Sequence, residues 1–168
     1  MDTGLGKALE RFDKELPHFP DGRIDYSDAD SALALGIIVL NGDKLLLVKR
    51  SREVGFYPGK WNWISGFIDE QKPLRAFVEQ ELYEETGISR QYFRELFFNS
   101  PITVGDDGLG KTWFIYPAVV VLASEVAPEL DWEAEGYAWV IPAQLSSYET
   151  VPGVTDSIRA ALAEYRAG

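Results

Sequence analysis

The sequence predicts a single α+β domain, and three observations support this prediction. Apolar runs of strand length recur along the chain, and residues that favour turns separate them. Amphipathic helical patterns lie between and after these runs, most clearly from Pro73 to Gly87 and from Asp156 to Arg166. The length of 168 residues suits one domain, and a hydrophobic fraction of 46% is enough for a sizeable core. Strands and helices in this order predict an α+β sandwich.

The first 28 residues are polar and mixed, and we expect them to form an N-terminal extension of a domain that spans residues 29–168. Within this extension, the segment from Leu5 to Leu16 predicts a short helix that ends at Pro17 and Pro20. No linker divides the rest of the chain, and it contains no internal repeat. The sequence therefore predicts one folded unit with a short helical segment before it.

Three strands are predicted in the first half of the domain. The pair Asn41-Gly42 is a strong hairpin signal, so the apolar runs on either side of it should form antiparallel partners. A loop with Gly55, Pro58 and Gly59 follows, before a strand with alternating aromatic residues. The predicted strands span Ala32–Leu40, Lys44–Arg50 and Trp61–Ile68, and the last is interrupted at Gly66.

Further strands are predicted after the first amphipathic helix. One lies within Tyr92–Gly105, and a longer one follows the turn that begins at Asp106. Pro117 lies inside the longer strand and predicts an edge position or a bulge, because proline cannot donate a hydrogen bond to a neighbouring strand. The remaining elements are strands Lys111–Ala123 and Asp131–Ile141, a short helix that begins at Pro142, and a C-terminal helix over Asp156–Arg166.

Composition and charge exclude several classes of function. The formal net charge of −11 argues against nucleic acid or an anionic membrane as the main partner, because phosphate groups attract Lys and Arg. The absence of Cys excludes a disulfide framework, a thiolate zinc site and a cysteine nucleophile. No segment has the apolar core of a signal peptide or the length of a membrane span. We therefore expect a soluble, cytoplasmic protein.

Two glutamates lie on the apolar side of the first amphipathic helix. At about 100° per residue, Glu81 and Glu85 fall in the middle of the side that carries Leu74 and Val78, with Glu84 at its edge. Core-facing carboxylates are unfavourable unless a positive charge meets them, and a divalent cation with oxygen ligands would meet both. The alternative is that these glutamates lie on a solvated helix end and pair with lysines.

The residues around this helix resemble the sequence box of the Nudix hydrolase family. That box places a glycine, a glutamate, an arginine-glutamate pair, a glutamate pair and a final glycine at fixed spacing. Two positions depart from it, because Lys72 stands in place of a glutamate and Gln80 in place of an arginine. The segment WNWISGFID also resembles the strand and turn that lead into the box. The matching positions are Gly66, Glu81, Leu82, Glu84, Glu85, Gly87 and Ile88.

The resemblance implies a Nudix-type α/β/α sandwich, in which a mixed sheet lies between helices. Nudix enzymes hydrolyse a nucleoside diphosphate linked to another group, with water attacking phosphorus, so a small nucleoside diphosphate derivative is the implied substrate. Their divalent metals neutralise diphosphate oxygens and help to form the nucleophile. For this chain, the resemblance implies Mg²⁺ or Mn²⁺ held by the catalytic residues Glu81, Glu84 and Glu85, with the Gly66 carbonyl as a further ligand.

The two departures from the box predict a changed contact beside the metal site. In the family, the arginine helps to orient the carboxylates and the earlier glutamate supports that arrangement. Here Gln80 can still donate a hydrogen bond to a carboxylate, and Lys72 can supply the missing positive charge from the loop. The paired change suggests that one local contact was replaced. The alternative is a catalytically weak or inactive domain that binds a nucleotide or a protein.

The resemblance also implies a general base outside the box. Glu135 is the first candidate, because acidic residues just before such a strand in Nudix domains can approach the metal site. Glu133 lies two residues earlier, on the same face of an extended chain, and Asp106 and Asp107 lie in a turn. The alternative for all four is a solvated loop charge.

Basic and aromatic residues near the loop before the box strand are candidates for substrate binding. Arg50, Arg52 and Lys60 flank this loop and are placed to meet phosphates, and solvated surface charge is an equally good explanation. Aromatic side chains can stack on a base, or can instead pack in the core or at its rim. The aromatic candidates are Phe56, Tyr57, Trp61 and Trp63.

Other interpretations of these residues are weaker. An isoprenoid diphosphate isomerase, a class related in fold, depends in its best-known form on a catalytic cysteine that this chain lacks. The interpretation as a purely structural acidic domain does not explain why carboxylates face the core. Nudix domains often dimerise through sheet or N-terminal segments, so residues 1–28 are a candidate for a homodimer contact. No feature of the sequence specifies a particular base or sugar.

Overall fold

Helices cover both faces of one mixed β-sheet in the computed structural model, which describes residues 3–168. Within these residues the sheet contains eight strands. They are β1 (Ser31–Asn41), β2 (Lys44–Arg50), β3 (Trp61–Asn62), β4 (Ile64–Phe67), β5 (Phe93–Phe98), β6 (Ile102–Asp106), β7 (Lys111–Leu122) and β8 (Ala134–Val140). The helices are α1 (Thr3–Glu15), α2 (Leu74–Thr86) and α3 (Val154–Ala167), with 3₁₀ turns at Arg90–Tyr92 and Pro142–Ser147. None of these helices is long and apolar enough to cross a lipid bilayer.

The long strands β1 and β7 run parallel at the centre of the sheet, paired from Ser31 and Thr112 to Leu40 and Val121. Strand β4 pairs with the first half of β1, and β2 pairs with its end through the predicted hairpin. On the other side, β6 pairs with the first half of β7 and β5 with its second half. Strands β3 and β8 pair with β2. Each central strand therefore has different neighbours at its two ends.

Alternate residues of β1 face two hydrophobic cores on opposite sides of the sheet, as the two-residue period of a strand requires. One core lies under α1 and α2 and includes Leu9, Phe12, Leu33, Leu35, Ile37, Phe77, Val78 and Leu82. The other lies under α3 and includes Ile38, Leu40, Val119, Ile158, Ala161 and Leu162. The predicted α/β/α sandwich with a mixed sheet is confirmed.

Helix α2 has the boundaries that the sequence predicts. Pro73 precedes its first residue, where the missing N–H of proline removes no helical hydrogen bond. Gly87 ends it in the left-handed conformation (φ 71°) and donates its N–H to the Tyr83 carbonyl at 2.8 Å. These two signals fix the helical register that buries Glu81 and Glu85 and leaves Glu84 exposed.

Pro117 lies in the central strand β7, so the predicted edge position or bulge is wrong. It pairs with Gly36 in the parallel ladder between β1 and β7. Its carbonyl oxygen accepts a hydrogen bond from the Asn99 N–H at 2.9 Å, in the gap between β5 and β6. The N–H and C=O groups of one strand residue point to the same side of the strand. The missing N–H of Pro117 is therefore on the side of the gap between β5 and β6, where neither strand offers an acceptor for it.

The predicted strand from Trp61 to Ile68 divides into β3 and β4, and the break falls at Trp63 rather than at the predicted glycine. Trp63 is buried, and its indole ring lies over Gly36 of β1. A Cβ added at Gly36 would lie 2.1 Å from that ring, so only glycine accommodates it. The break lets the chain pass from its pairing with β2 to its pairing with β1.

The segment before β1 packs onto the chain that leads into α2. Helix α1 contributes to the core under α2. Beyond it, the Tyr26 hydroxyl donates to the Ile68 carbonyl at 2.7 Å, and the Ile24 N–H donates to the Asp69 carbonyl at 2.8 Å. The described part of the predicted extension, residues 3–28, therefore supports the start of α2, and the first two residues lie outside the description.

Candidate active site

A cavity of about 690 Å³ opens at one end of the sheet, between α2, β4, β6 and the loop after β2. All three glutamates of the box line it, and Glu133, just before β8, joins them. Their positions follow from the helical pattern, because Glu81 and Glu85 are one turn apart on the side of α2 that carries Val78. The cavity therefore collects the carboxylates that the sequence pattern singled out.

Glu81 lies directly against the strand that precedes its helix. A Cβ added at Gly66 would be 2.5 Å from the Glu81 carboxyl carbon, so only glycine leaves room for this contact. Burial, followed by repulsion from the Glu84 carboxylate, raises the pKa of Glu81 from 4.5 to about 7. The charged form of Glu81 is therefore unfavourable at this position unless a positive charge approaches it.

Glu85 is close to a second acid, Glu133. Burial raises the pKa of Glu85 well above its usual range, and a hydrogen bond with Glu133 raises it further. Two carboxyl groups share such a bond only when one of them holds a proton. Arg50 interacts electrostatically with both acids, but its Nε donates to the Phe56 carbonyl at 2.7 Å. The pair is therefore short of positive charge.

Glu84 lies at the exposed edge of this acidic group and accepts a hydrogen bond from Gln80. The Gln80 Nε2 atom is 2.9 Å from Glu84 Oε1, and Lys72 Nζ donates to Gln80 Oε1. Lys72 also forms an ion pair with Glu70 at 2.9 Å. The two residues that depart from the box are therefore in contact with each other and with one of its carboxylates.

The chemistry of these side chains fits a hard divalent cation such as Mg²⁺ or Mn²⁺. Carboxylate and carbonyl oxygens are the ligands that such ions prefer, and among residues 3–168 no ion pair reaches Glu81, Glu84 or Glu85. In the same residues, no three His, Cys, Asp or Glu side chains already converge at ligand distance. A cation would therefore have to draw the carboxylates together, and the backbone of Gly66 already lies against the Glu81 carboxylate.

Glu135 does not line the cavity, although it is the general base that the sequence ranks first. Its carboxylate pairs with Lys49 at 3.4 Å and is partly exposed. Along β2, Leu46 and Val48 belong to the core under α2. Because successive strand residues face opposite sides, Lys49 points to the α3 side of the sheet. Glu133 instead lines the cavity beside Glu85. The structure therefore brings Glu133, and not Glu135, to the glutamates of the box.

A β-bulge explains why these two acids do not share a face. Lys49 pairs with Gly136 and Arg50 pairs with Ala134, which leaves Glu135 as the extra residue between them. The regular alternation of an extended strand is lost at this point. The bulge depends on the pairing of β2 with β8, so the sequence around Glu135 carries no local sign of it.

Among the basic residues predicted to bind substrate, Arg50 lines the cavity and the others do not. Arg52 is exposed on the loop after β2. Lys60 forms an ion pair with Glu149. Trp61 packs edge-on against an aromatic ring of the segment before α3, with 5.1 Å between the ring centroids. The structure therefore does not bring Arg52, Lys60 and Trp61 to the lining of this cavity.

Aromatic side chains form one wall of the cavity. Phe56, Tyr57 and Trp63 were expected there and do line it. Phe67 and Trp113 were not expected, and their ring centroids are 5.9 Å apart. Phe67 directly follows the first glycine of the box and is 37% exposed, which leaves part of its ring open to a ligand. The position of Phe67 directly after Gly66 is the sequence signal that would have identified it as a cavity residue.

Asp106 lines the opposite wall and is held by a tyrosine. The Tyr57 hydroxyl lies 2.8 and 2.7 Å from the two carboxylate oxygens of Asp106. Asp106 is nearly fully buried, whereas Asp107 is exposed outside the cavity. Tyr57 also has an unusual backbone conformation, with φ of 48°. This contact connects the loop after β2 to the hairpin between β6 and β7, and it leaves Asp106 far less suited than Glu133 to act as a base.

The model of the NUDIX domain family matches residues 30–161, which is most of the chain. The chain belongs to this family. The matched range contains the whole box and also Asp106 and Glu133 of the cavity. The family predicted from the sequence is confirmed, and it supports an enzyme of the Nudix-type pyrophosphohydrolase class. No curated protein matches the chain by sequence.

Several solved structures share the fold at low sequence identity. A NUDIX hydrolase from Nitrosomonas europaea is 20% identical, with 82% of this chain and 90% of that chain covered and a TM-score of 0.64. The MutT protein from Methanosarcina mazei Go1 is 22% identical, with 82% and 97% covered and a TM-score of 0.66. The NUDIX domain of Shewanella oneidensis NrtR, solved with ADP ribose, is 16% identical, with 100% of both chains covered and a TM-score of 0.65.

Proposed function

We propose that this protein is a metal-dependent hydrolase of a nucleoside diphosphate linked to another group. It would cleave the diphosphate by attack of water on phosphorus. The observation that carries this proposal is the pair of glutamates, Glu81 and Glu85, that α2 directs into a cavity in the register of the family's box. A bound Mg²⁺ or Mn²⁺ would neutralise the diphosphate oxygens and lower the pKa of the attacking water.

The side chains of the cavity have distinct roles in this proposal. Glu81, Glu84 and Glu85 hold the metal together with the Gly66 carbonyl, because their oxygens form one acidic wall. Glu133 receives a proton from the attacking water, because it lines the cavity beside Glu85. Arg50 faces both of these acids and balances part of their charge.

The basic residues of the cavity indicate which substrates fit. In the described part of the chain, three basic residues line it, and each is beside carboxylates. Arg23 is 2.7 Å from Asp21, Lys72 is 2.9 Å from Glu70, and Arg50 faces the acidic pair. Arg23 and Lys72 are already paired and Arg50 faces two acids, so a long polyphosphate would meet little free positive charge. A substrate with two phosphates therefore fits better than one with several.

The rest of the lining favours an uncharged group beyond the diphosphate. The aromatic wall offers flat surfaces for a base, and an apolar patch lies between β6, β7 and the segment before α3. Asp106 can accept a hydrogen bond there from a sugar or base, although Tyr57 already occupies part of it. The apolar patch consists of Val104, Ile115, Val151 and Val154. Nucleotide sugars and ADP-ribose are substrates of this kind.

Hydrolysis of a substrate panel tests the proposal. The panel contains nucleotide sugars, ADP-ribose, dinucleoside polyphosphates and nucleoside triphosphates, each with and without Mg²⁺ or Mn²⁺. We expect metal-dependent turnover, greatest for the diphosphates with an uncharged second group, and a loss of roughly a thousandfold or more in Glu85→Gln. Glu79→Gln is the matched control, because Glu79 is on the same helix and only weakly paired with Arg75 at 4.0 Å. Equal turnover in both variants would refute the proposed role of Glu85.

A second candidate is a Nudix domain that binds a nucleotide or a protein without catalysis. The exchange of the box residues for Lys72 and Gln80 favours it, and so does the lack of a converged acidic trio in residues 3–168. Metal titration separates the two candidates, because a module that only binds need not hold Mg²⁺. The extension over residues 1–28, a homodimer contact through it and a cytoplasmic location remain predictions.

A further inference from the structure

A partly buried lysine contacts the first turns of α2. The side chain of Lys72 is only 21% exposed, and its Nζ is 2.9 Å from the Glu70 carboxylate. The same atom lies 4.3 Å from the centroid of the Phe77 ring, which is within the range of a cation–π contact. A lysine held by an anion and a ring has lost much of the freedom that a surface lysine keeps. Its ammonium group is therefore fixed in front of Gln80.

This fixed ammonium group determines which way the Gln80 amide points. An amide can present either its oxygen or its NH₂ group to a neighbour, whereas an ammonium group can only donate. Lys72 Nζ donates to Gln80 Oε1, and this directs the Nε2 group towards Glu84, with 2.9 Å between Nε2 and Glu84 Oε1. With the opposite orientation, Gln80 would present its oxygen to a carboxylate. The lysine therefore makes the glutamine a donor to Glu84.

We propose that Lys72 is a positioning residue that acts through Gln80 to hold the Glu84 carboxylate for metal binding. The inference rests on the proposed function, because it assumes that Glu84 is a metal ligand. In this arrangement the cation, Lys72, is on the loop before α2. The neutral amide of Gln80, on the helix, connects this cation to the Glu84 carboxylate. The box of the family has the reverse distribution of charge over these two positions, with an acid on the loop and a cation on the helix.

The direction of the effect on metal affinity distinguishes this role from a simple electrostatic one. A positive charge near a metal site repels the metal, so removal of a lysine that only contributes charge would tighten metal binding. Removal of a lysine that orients a ligand through Gln80 would weaken it, because Glu84 would lose its aligned donor. Groups that orient metal ligands typically affect metal affinity by roughly 10- to 100-fold.

Calorimetric titration with Mn²⁺, in the absence of substrate, tests this inference. We expect Lys72→Met and Gln80→Leu each to weaken Mn²⁺ binding by roughly tenfold or more. The combined variant should be no worse than either single one, because both remove the same chain of hydrogen bonds. The charge exchange Lys72→Glu with Gln80→Arg should restore affinity to within about threefold of the wild type. Arg75→Met, which removes an exposed cation from the first turn of α2, is the matched control and should change little.

The outcomes separate this inference from the proposed function. Mn²⁺ binding by the wild type with equal or tighter binding in Lys72→Met would overturn the positioning role alone. Absence of Mn²⁺ binding by the wild type would overturn the proposed function, and the positioning role with it. If Lys72→Met fails to fold, Gln80→Leu decides the question, because Gln80 is exposed and its replacement leaves the core intact. Unchanged affinity in Gln80→Leu would then refute the inference.

Discussion

Helices α2 and α3 pack on opposite faces of the same sheet and have nearly equal lengths of 13 and 14 residues. Helix α3 buries mainly apolar side chains, among them Ile158, Ala161 and Leu162. Helix α2 also buries Phe77, Val78 and Leu82, but it directs two glutamates into the cavity beside them. The comparison shows that the α3 face is built for stability, whereas the α2 face gives up some stability to place acids in a cavity.

The difference has a thermodynamic consequence for the metal-free protein. Burial raises the pKa values of Glu81 and Glu85, which means that the fold resists their charged forms. No group of α3 with a resolved shift has its pKa raised to a comparable extent, within residues 3–168. A cation that binds the α2 acids in their charged forms would therefore stabilise the folded protein by mass action.

A large difference in activity should separate the acids on the two faces of the sheet. Glu133→Gln should lower kcat by roughly 100-fold or more, because general bases typically contribute this much. Glu135→Gln should leave kcat within about twofold, because Glu135 pairs with Lys49 on the α3 side. Steady-state kinetics on the best substrate of the panel measures both. A larger loss in Glu135→Gln than in Glu133→Gln would contradict the assignment.

The next effect concerns stability on the α3 face. Leu162 is 2% exposed, and Leu162→Ala should lower the free energy of unfolding by about 2–5 kcal/mol, because it leaves a cavity in the core. Under conditions where the variant stays folded, kcat and Mn²⁺ affinity should be close to the wild-type values. Urea unfolding and kinetics on the same preparation measure the two properties. A loss of kcat in the folded variant would contradict the proposal that the α3 face serves stability and the α2 face carries the site.

A smaller effect is expected in the pH dependence of the metal-free protein. The pKa of Glu81 is 4.5 in the unfolded reference and about 7 in the fold, so the folded state binds more protons between these values. Its stability should therefore fall as the pH rises through this window, by on the order of 1–3 kcal/mol from this group. Urea unfolding between pH 4.5 and pH 8 should show the fall in the wild type and a smaller one in Glu81→Gln. Equal slopes in the two proteins would contradict the raised pKa.

Local patterns predicted most elements and the inward glutamates. The limits of α2 depend on Pro73 and Gly87, and the direction of Glu81 and Glu85 depends on the helical period, so each is encoded within a few residues. A hydrogen bond from Gln80 to one of the carboxylates was also expected, because Gln80 takes the position of the box arginine. These features required no knowledge of which strands pair.

Features that depend on long-range pairing were missed. Pro117 is tolerated in a central strand because β5 and β6 leave a gap beside it, and nothing near Pro117 in the sequence indicates that gap. Glu135 lies outside the cavity because it is the extra residue of a β-bulge in β8, where β8 pairs with β2. Lys60 and Trp61 were placed by contacts with the segment before α3, which lies far along the chain. Partners distant in sequence decide such positions, and local periodicity carries no information about them.

The most direct test of the account is thermal unfolding of the wild type and Glu85→Gln at pH 8, each with and without Mg²⁺. We predict that Mg²⁺ raises the Tm of the wild type, because it binds the buried acids of the folded state. Without Mg²⁺, Glu85→Gln should be more stable than the wild type, because it removes a buried acid, and Mg²⁺ should no longer raise its Tm. Equal Mg²⁺ responses in the two proteins, with Glu85→Gln the less stable one, would contradict the claim that α2 exchanges stability for a metal site.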